Sequence, residues 1–218
     1  MINFASRAEY RSRIEQVVVY INDHLSEALD LQTVAEISRF SPVHFPLIFQ
    51  AAMNETPLVY IDRLRVERAA RTLMTSQELP VTDVATACGF PSVSNFTKAF
   101  KNHYGVSARE YSKGRYLESL ADSCGVQAST MASGEKAVRN VSMREIDGQT
   151  LAVFHVECRA DQVEAQTQSI YRDWLPDSGL EPGDSPGYEI YLQTPEKNLN
   201  GVHKVDINIP VKPLPFDL

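Results

Sequence analysis

The sequence predicts an all-α N-terminal region followed by a small α+β unit with an antiparallel sheet. Three observations predict this architecture. Up to about residue 112, apolar residues recur every three or four positions, which is the spacing of helices that bury one face. Gly89 separates two of these segments, where a helix must stop in a left-handed residue. Beyond residue 140 the pattern changes to the alternation of strands, with Asp147-Gly148 as a hairpin turn.

The N-terminal region carries the pattern of two helix-turn-helix units bridged by a long helix. The apolar residues that mark the first two helices are Ile14, Val17, Val18, Ile21 and Leu25, and then Leu31, Val34, Ala35 and Ile37. Ser41-Pro42 predicts the start of a third helix. Thr56 before Pro57 is typical of a helix start, because the first turn leaves its N–H groups unpaired and proline has none. The helix that begins here is the predicted bridge.

The second helix-turn-helix unit lies within Pro80 to Tyr111 and carries the clearest signals. Ser92 is the predicted N-cap of its second helix, and Phe96 and Phe100, four residues apart, mark the buried side of that helix. Two short helices joined by a tight turn form a motif whose second helix enters the major groove of DNA. The residues left on the outer face are Val93, Ser94, Thr97, Lys98 and Lys101. The pattern therefore predicts a nucleic-acid interface.

The composition limits the class of protein. The net charge of the 218 residues is −7, but residues 1–116 sum to +1 and residues 117–218 to −8. Even the near-neutral half falls short of the basic footprint that nucleic-acid binders ordinarily carry. Cys88, Cys124 and Cys158 have no CxxC spacing, which predicts free thiols and no zinc site. The sequence has neither an apolar run of roughly 20 residues nor a leader pattern, so we expect a cytoplasmic protein without a membrane partner.

A change in composition marks the predicted domain boundaries. Cys124 to Lys136 is small and polar without periodicity, which is typical of a linker. The predicted domains are therefore 8–115 and 139–215, joined by a linker over 116–138. The elements predicted in the second domain are strands at Val141–Ile146 and Thr150–Glu157, a helix at Asp161–Trp174, and strands at Tyr188–Leu192 and Lys204–Ile209. We expect the prolines after Ile209 to stop the sheet, because proline cannot donate to a strand ladder.

The N-terminal domain resembles the DNA-binding domain of the AraC family of bacterial transcription regulators over about residues 10 to 112. The residues that carry the resemblance are Ser41-Pro42 with His44-Phe45, Leu64-Arg65 with Glu67-Arg68-Ala69, and Gly89-Phe90 with Ser92, Phe96, Phe100 and Gly105-Val106. The resemblance implies that both helix-turn-helix units can contact DNA. The expected DNA-contacting residues are Ser92, Val93, Ser94, Asn95, Thr97, Lys98 and Lys101 on the second recognition helix, with Arg65 and Arg68 on the bridging helix.

These assignments leave structural alternatives open. Exposed lysines such as Lys98 are ordinarily solvated helix residues, although the helix-turn-helix context favours groove contact. Arg65 or Arg68 can contact phosphate, or can instead pair with Glu67 or Asp62 in a structural network.

The first helix-turn-helix unit departs from the family pattern. Family members usually carry an aromatic residue, a polar residue and an arginine where this chain has Val43, Pro46 and Leu47. Leucine cannot replace arginine as the reader of guanine. Counted from a helix start at Ser41-Pro42, Pro46 also removes a backbone hydrogen bond. The first unit therefore either still reads DNA or is retained for packing alone.

The C-terminal domain resembles the GyrI-like effector-binding fold. Tyr171 to Pro182, Pro186 to Leu192 and Val205 to Pro213 carry the resemblance. That fold normally holds two βαββ repeats around a cleft, and this chain has sequence for about one. Half of such a sheet leaves an unpaired edge, so we expect homodimerisation through residues 140 to 213.

The same resemblance implies a small lipophilic or cationic ligand. Glu189 matches the family glutamate, and Tyr171, Trp174 and Tyr191 are the aromatic residues expected around the ligand, where cation–π attraction adds to the ionic one. The alternative is that the aromatic residues fill the core and Glu189 faces solvent.

The sequence predicts a regulator rather than an enzyme. The five histidines lack metal-ligand spacing, no serine, cysteine and histidine constellation is visible, and there is no glycine-rich phosphate loop. We therefore predict no catalytic residue, metal or cofactor. The resemblances imply a one-component transcription regulator whose partners are promoter DNA, a second copy of the chain, a small ligand and RNA polymerase. The alternative is a module impaired in DNA binding that binds small molecules or proteins.

Overall fold

The computed structural model describes residues 4–75, 79–113, 140–146, 148–192 and 201–215. These residues divide into two compact units. The sheet unit consists of Met1–Val17, Gln32–Thr56 and Gly134–Leu218, and the helical unit consists of Val18–Leu31 and Pro57–Ser133. The predicted linker, 116–138, lies outside the described residues. None of the described helices combines the length and the apolarity that crossing a membrane requires.

The helical unit is built on the predicted bridging helix. Its helices are α4 (Pro57–Thr75), α5 (Val81–Ala87), α6 (Val93–Tyr104) and α7 (Ala108–Ser112), together with the end of α1 (Phe4–Asp23). The core contains, from α4, Val66, Ala69, Ala70 and Leu73, and from the rest of the unit, Val84, Ala85, Cys88, Phe90, Phe96, Phe100, Ala108 and Tyr111. The predicted buried side of α6 is thus confirmed, since Phe96 and Phe100 are fully buried.

The turn between α5 and α6 has the predicted geometry. Gly89 adopts φ +85°, and the Ser92 side chain accepts a hydrogen bond from the Asn95 N–H as the N-cap of α6. Gly105 ends α6 at φ +74°. Because only glycine adopts these angles without cost, each glycine fixes where a helix stops.

The first helix pair consists of α2 (Leu31–Ser38) and α3 (Phe45–Met53). The predicted start of α3 at Ser41-Pro42 is wrong, because the N–H groups of His44 and Phe45 both bond to the Ser41 carbonyl in a turn that precedes the helix. Pro46 is therefore the second residue of α3. At that position no N–H has a partner within the helix, so Pro46 removes no hydrogen bond from α3 itself.

The C-terminal part forms an antiparallel sheet in the order β1-β2-β5-β3, with β4 also paired to β5. The strands are β1 (Val141–Ile146), β2 (Gln149–Arg159), β3 (Leu180–Pro182), β4 (Tyr188–Tyr191) and β5 (Val202–Pro213). Strands β1 and β2 form the predicted hairpin, with Gly148 at φ +75°; Asp147 lies outside the described residues. Strand β2, the helical segment that follows it, β4 and β5 make the one expected βαββ repeat, to which β1 and β3 are added.

The helical segment is interrupted by a wider turn. It runs as a 3₁₀ turn (Ala160–Gln162), α8 (Val163–Ser169), a π-helical turn (Ile170–Trp174) and α9 (Leu175–Ser178). Trp174 packs edge-on against Phe154 of β2, with ring centroids 4.8 Å apart. The segment therefore covers one face of the sheet, as the predicted helix at Asp161–Trp174 requires.

Strand β5 continues to Pro213, so the expectation that the final prolines stop the sheet is wrong. The Pro210 carbonyl accepts a hydrogen bond from the Gly183 N–H at 2.8 Å. In a strand, the N and O atoms of one residue point to the same side, so the missing N–H of Pro210 points past the end of β3 and away from β2. The ladder between β2 and β5 therefore loses no bond.

Gly89 and Gly105 provide a matched test of the turn. A Cβ on Gly89 would lie 2.5 Å from the Leu25 carbonyl oxygen, whereas a Cβ on Gly105 has no neighbour within 4 Å among the described residues. We expect Gly105→Ala to cost about 1–2 kcal/mol for the left-handed backbone alone. Gly89→Ala should cost about 1–3 kcal/mol more because it adds overpacking. Denaturant unfolding of both variants measures the difference, and equal losses would contradict the close approach.

Candidate functional site

The outer face of α6 presents the predicted recognition residues to solvent. Val93, Ser94, Thr97, Lys98 and Lys101 are all exposed and lie along one side of the helix, opposite the buried phenylalanines. The Thr97 hydroxyl donates to the Val93 carbonyl within the helix at 2.8 Å, and the Ser92 hydroxyl oxygen serves as the N-cap. Asn95 is also exposed. The face thus offers two ammonium groups, short polar groups and one apolar side chain.

Arg65 lies inside the helical unit. Its side chain is buried, with Nε donating to the Leu25 carbonyl at 3.0 Å and Nη2 donating to the Glu27 carbonyl at 2.7 Å. Burial lowers the pKa of the Arg65 guanidinium, and the nearby Asp62 partly offsets that effect. Arg65 therefore holds the segment after α1 against α4. The hydrogen bonds found for the Arg65 guanidinium go to these two carbonyls, not to Asp62 or Glu67.

Arg68 has the opposite placement, on the surface of α4. With Arg71 it lines a groove of about 420 Å³ whose other lining residues are Asn22, Leu25, Leu64, Thr72 and Thr75. Glu67, the alternative partner considered for Arg68, accepts a salt bridge from Arg63 at 3.0 Å. Of the two arginines predicted on the bridging helix, Arg68 is the one that solvent reaches.

In the sheet unit, the first helix pair packs against the C-terminal helical segment through α3. His44, the N-cap residue of α3, lies 2.7 Å from the Tyr171 hydroxyl through Nδ1 and 2.8 Å from the Ser185 carbonyl through Nε2. Because a carbonyl only accepts, Nε2 carries the proton and Nδ1 of the neutral ring accepts from Tyr171. Burial lowers the pKa of His44, against the opposing effects of the Ser185 carbonyl and Asp184, and so favours this neutral form.

Helix α1 adds three polar links to the same part of the sheet unit. Arg13 is buried and forms salt bridges with Glu9 at 2.7 Å and with the buried Glu181 at 2.8 Å. The Tyr10 hydroxyl donates to the Leu180 carbonyl, and Arg7 bonds Asp177 at 2.7 Å. The first helix pair and α1 are therefore anchored to the C-terminal segment by several buried groups. These contacts could not be predicted from residue spacing in the sequence, because the two residues of each link to the C-terminal segment lie 127 to 170 positions apart.

The four residues expected around a ligand have separate surroundings. Glu189 is exposed on β4 and accepts a hydrogen bond from the Tyr191 hydroxyl at 3.2 Å. Tyr171 is buried against His44, and Trp174 packs on Phe154. The structure therefore brings Glu189 and Tyr191 together and gives the other two aromatic residues different partners.

The structure also joins three residues that the sequence analysis did not connect. Ser142 Oγ lies 3.0 Å from His155 Nε2, and His155 Nδ1 lies 2.6 Å from Asp206 Oδ1. Asp206 is buried and its carboxylate accepts a hydrogen bond from Nδ1–H, so serine, histidine and carboxylate follow one another as in the triad of serine hydrolases. The His155 N–H donates to the Asn140 carbonyl, and backbone groups alternate in direction along a strand, so the Ser142 N–H points toward β2. It therefore does not point outward, where it could stabilise the oxyanion of a reaction intermediate. We interpret the trio as a link across β1, β2 and β5.

The described residues hold no cluster of three or more histidine, cysteine, aspartate or glutamate residues arranged for a metal ion. Cys88 and Cys158 are buried and form no disulfide with each other, and Cys124 lies outside the described residues.

Two protein families match this chain. Residues 34–114 match the family described as a helix-turn-helix domain, and residues 118–212 match the GyrI-like small molecule binding domain. The chain therefore joins an AraC-type helix-turn-helix domain to a GyrI-like domain.

Relatives of the chain carry names of transcription regulators. The uncharacterized HTH-type transcriptional regulator YobQ of Bacillus subtilis (strain 168) is 35% identical over 101 residues, which are 46% of this chain and 42% of the relative. The probable transcriptional regulator LumQ of Photobacterium leiognathi is 31% identical over 45% of this chain and 40% of its own length. The chain thus spans less than half the length of these relatives. The solved C-terminal domain of AraT, a response regulator from Geobacillus stearothermophilus, is 30% identical over 47% of this chain and 85% of that domain, with a TM-score of 0.44.

His44 should make the stability of the chain depend on pH. Since the folded pKa of His44 is lowered from its ordinary 6.5, the unfolded state binds more protons below that pH, and stability falls as the pH falls. The contribution is bounded by about 1.4 kcal/mol per pH unit. Thermal unfolding from about pH 7 to pH 5 should show a shallower loss for His44→Gln, which stays neutral, than for wild type. Parallel profiles for the two proteins would contradict the neutral, buried His44.

Proposed function

We propose that this protein is a sequence-specific DNA-binding transcription regulator that reads its promoter through α6. The observation that carries the proposal is the exposed polar face of α6, held by the Gly89 turn and the Ser92 cap on a fully buried aromatic side. A helix presented in this way fits the major groove, where its N-terminal residues meet base edges. Such a regulator acts where the chromosome is, in the cytoplasm.

Each group on α6 has a definite chemistry toward DNA. Lys98 and Lys101 supply cations for phosphates or for guanine, and Ser94 and Asn95 supply short hydrogen-bonding groups. Val93 has no polar atom but suits a thymine methyl group. Arg68 on α4 is the proposed phosphate contact outside α6, because the Arg65 side chain is already engaged by the Leu25 and Glu27 carbonyls.

The first helix pair, α2 and α3, does not read DNA in this proposal. Val43, Pro46 and Leu47 supply no cation to DNA, and α3 packs on the GyrI-like segment. We therefore assign the first pair to coupling between the GyrI-like domain and the rest of the chain, with ligand binding shifting DNA affinity or contact with RNA polymerase.

A DNA titration tests the proposed reading helix. Lys98→Ala should weaken binding to the DNA upstream of the protein's own gene by about 1 kcal/mol or more, and should reduce the salt dependence by about one charge if Lys98 meets a phosphate. Lys113→Ala is the matched control, because Lys113 is exposed at the end of α7 rather than on α6.

If Lys98→Ala binds DNA as tightly and as selectively as wild type, the assignment of α6 as the reading helix is wrong. Weak, sequence-blind binding by wild type would favour the alternative function, a small-molecule-binding or protein-interaction module.

We also propose that the chain dimerises through the outer edge of β4. Strand β4 pairs with β5 alone among the described strands, and Tyr188, Ile190, Tyr191 and Leu192 on and beside it are each more than two-fifths exposed. An apolar strand with a free edge is a template for pairing with a second chain. A second copy would extend the half-sheet and supply the missing repeat.

Sedimentation at tens of micromolar measures this association. Wild type should sediment as a dimer, and Ile190→Lys should shift it to monomer because it places a charge on the pairing edge. Val19→Lys changes an even more exposed apolar residue, on α1, and should leave the dimer intact. A strict monomer for wild type, or equal effects of both variants, would rule out the β4 interface.

A further inference from the structure

A cavity of about 490 Å³ lies inside the sheet unit, between α1, α3 and the C-terminal helical segment. Its floor consists of Tyr10, Ile14, Ile48 and Tyr171, each at most 6% exposed. Ala51 and Ala52 form the wall on α3, and their small side chains leave the space open. The volume falls within the range of small-molecule sites, about 300–1,000 Å³, and the lining is predominantly apolar as in such sites.

The rim of this cavity carries three guanidinium groups. They belong to Arg7, Arg11 and Arg172, and each is paired with one carboxylate. Arg7 donates to Asp177 through both Nε and Nη2, and Arg172 donates to Asp173 through the same two atoms. Arg11 donates to Glu15 through Nε. A guanidinium has five N–H donors and no acceptor, so these contacts leave each of the three groups with further N–H donors. Such donors pair only with acceptors, which favours an occupant that carries acceptor oxygens, such as a carboxylate.

The backbone of the segment that lines the cavity is unusual as well. Tyr171 and Arg172 belong to the π-helical turn Ile170–Trp174. Single π turns inside helices are rare and frequently occur at functional sites, because the wider turn re-aims neighbouring side chains. Here the turn places an aromatic floor residue and a cationic rim residue next to each other on one cavity.

We propose that this cavity binds a small lipophilic anion, with an aromatic or aliphatic body on the apolar floor and a carboxylate at the arginine rim. This site shares only Tyr171 with the one expected around Glu189, and it differs from that site in the sign of the ligand charge. Most of its lining comes from α1 and α3, which lie outside the stretch that matches the GyrI-like domain.

Binding there would act directly on the first helix pair. The cavity exists only while α3 and the π-helical turn are packed together, so the ligand binds that arrangement and stabilises it by mass action. The regulatory meaning of the site rests on the proposed function. The site itself does not, because its occupancy can be measured without DNA.

Calorimetry with two probes of the same shape and opposite charge tests the site. 2-Naphthoate should bind the full-length protein and 2-naphthylmethylammonium should bind at least about tenfold more weakly. Arg172→Ala should weaken 2-naphthoate binding by about tenfold or more, which is the worth of one charge-assisted hydrogen bond. Arg159→Ala, which removes an exposed arginine with its own acidic partner away from the cavity, should leave the affinity unchanged.

A second variant addresses the cavity itself. Ala51→Trp should abolish 2-naphthoate binding by filling the space, and its circular dichroism and unfolding transition establish whether the fold is retained. Equal affinity for the two probes, equal effects of Arg172→Ala and Arg159→Ala, or no 2-naphthoate binding by wild type would each overturn the proposal. Loss of DNA binding in the separate titration would leave these outcomes unaffected, so the two failures are distinguishable.

Discussion

The buried hydrogen bonds of His44 hold together two parts of the chain that lie more than 120 positions apart in the sequence. His44 caps α3 in the first helix pair, while Tyr171 and Ser185 belong to the C-terminal segment. Leaving either partner unpaired would cost about 1–3 kcal/mol, because both His44 and Tyr171 are removed from water. The neutral ring, with one donor and one acceptor, satisfies both contacts at once. The placement of α3 against the π-helical turn, and with it the arginine-rimmed cavity, depends on this pairing.

The two helix pairs have different surroundings. The second pair has a continuous aromatic core behind α6 and an exposed polar face in front of it. The first pair has Leu47 where the sequence resemblance led us to expect an arginine, and its α3 packs against the GyrI-like segment. The acidic charge of the chain lies in the C-terminal half. We propose that the second pair reads DNA and that the first pair transmits the state of the GyrI-like domain.

The sequence predicted the elements whose signals are local. The Gly89 turn, the Ser92 cap, the phenylalanine pair of α6 and the β1–β2 hairpin all follow from residues within a few positions of one another. The errors came where a neighbour in space decides the outcome. Pro210 stays in β5 because its missing N–H points past the end of β3, and α3 begins at Phe45 because Ser41 is used in the preceding turn.

The site residues follow the same rule. Lys98 and Lys101 are exposed as their helical positions indicate, whereas the buried Arg65 is engaged by carbonyls 38 and 40 residues away. The Ser142, His155 and Asp206 link and the His44 contacts carry no spacing signal at all, because register between strands and packing between helices create them.

Photo-crosslinking from two matched valines tests the division between the helix pairs most directly. Val43 and Val93 follow the turn in their respective units and are 48% and 41% exposed. With a photoreactive phenylalanine analogue at one position or the other, the account predicts that the protein bound to its promoter forms DNA adducts from position 93 and not from position 43. Adducts of equal yield from both positions, or from position 43 alone, would contradict it.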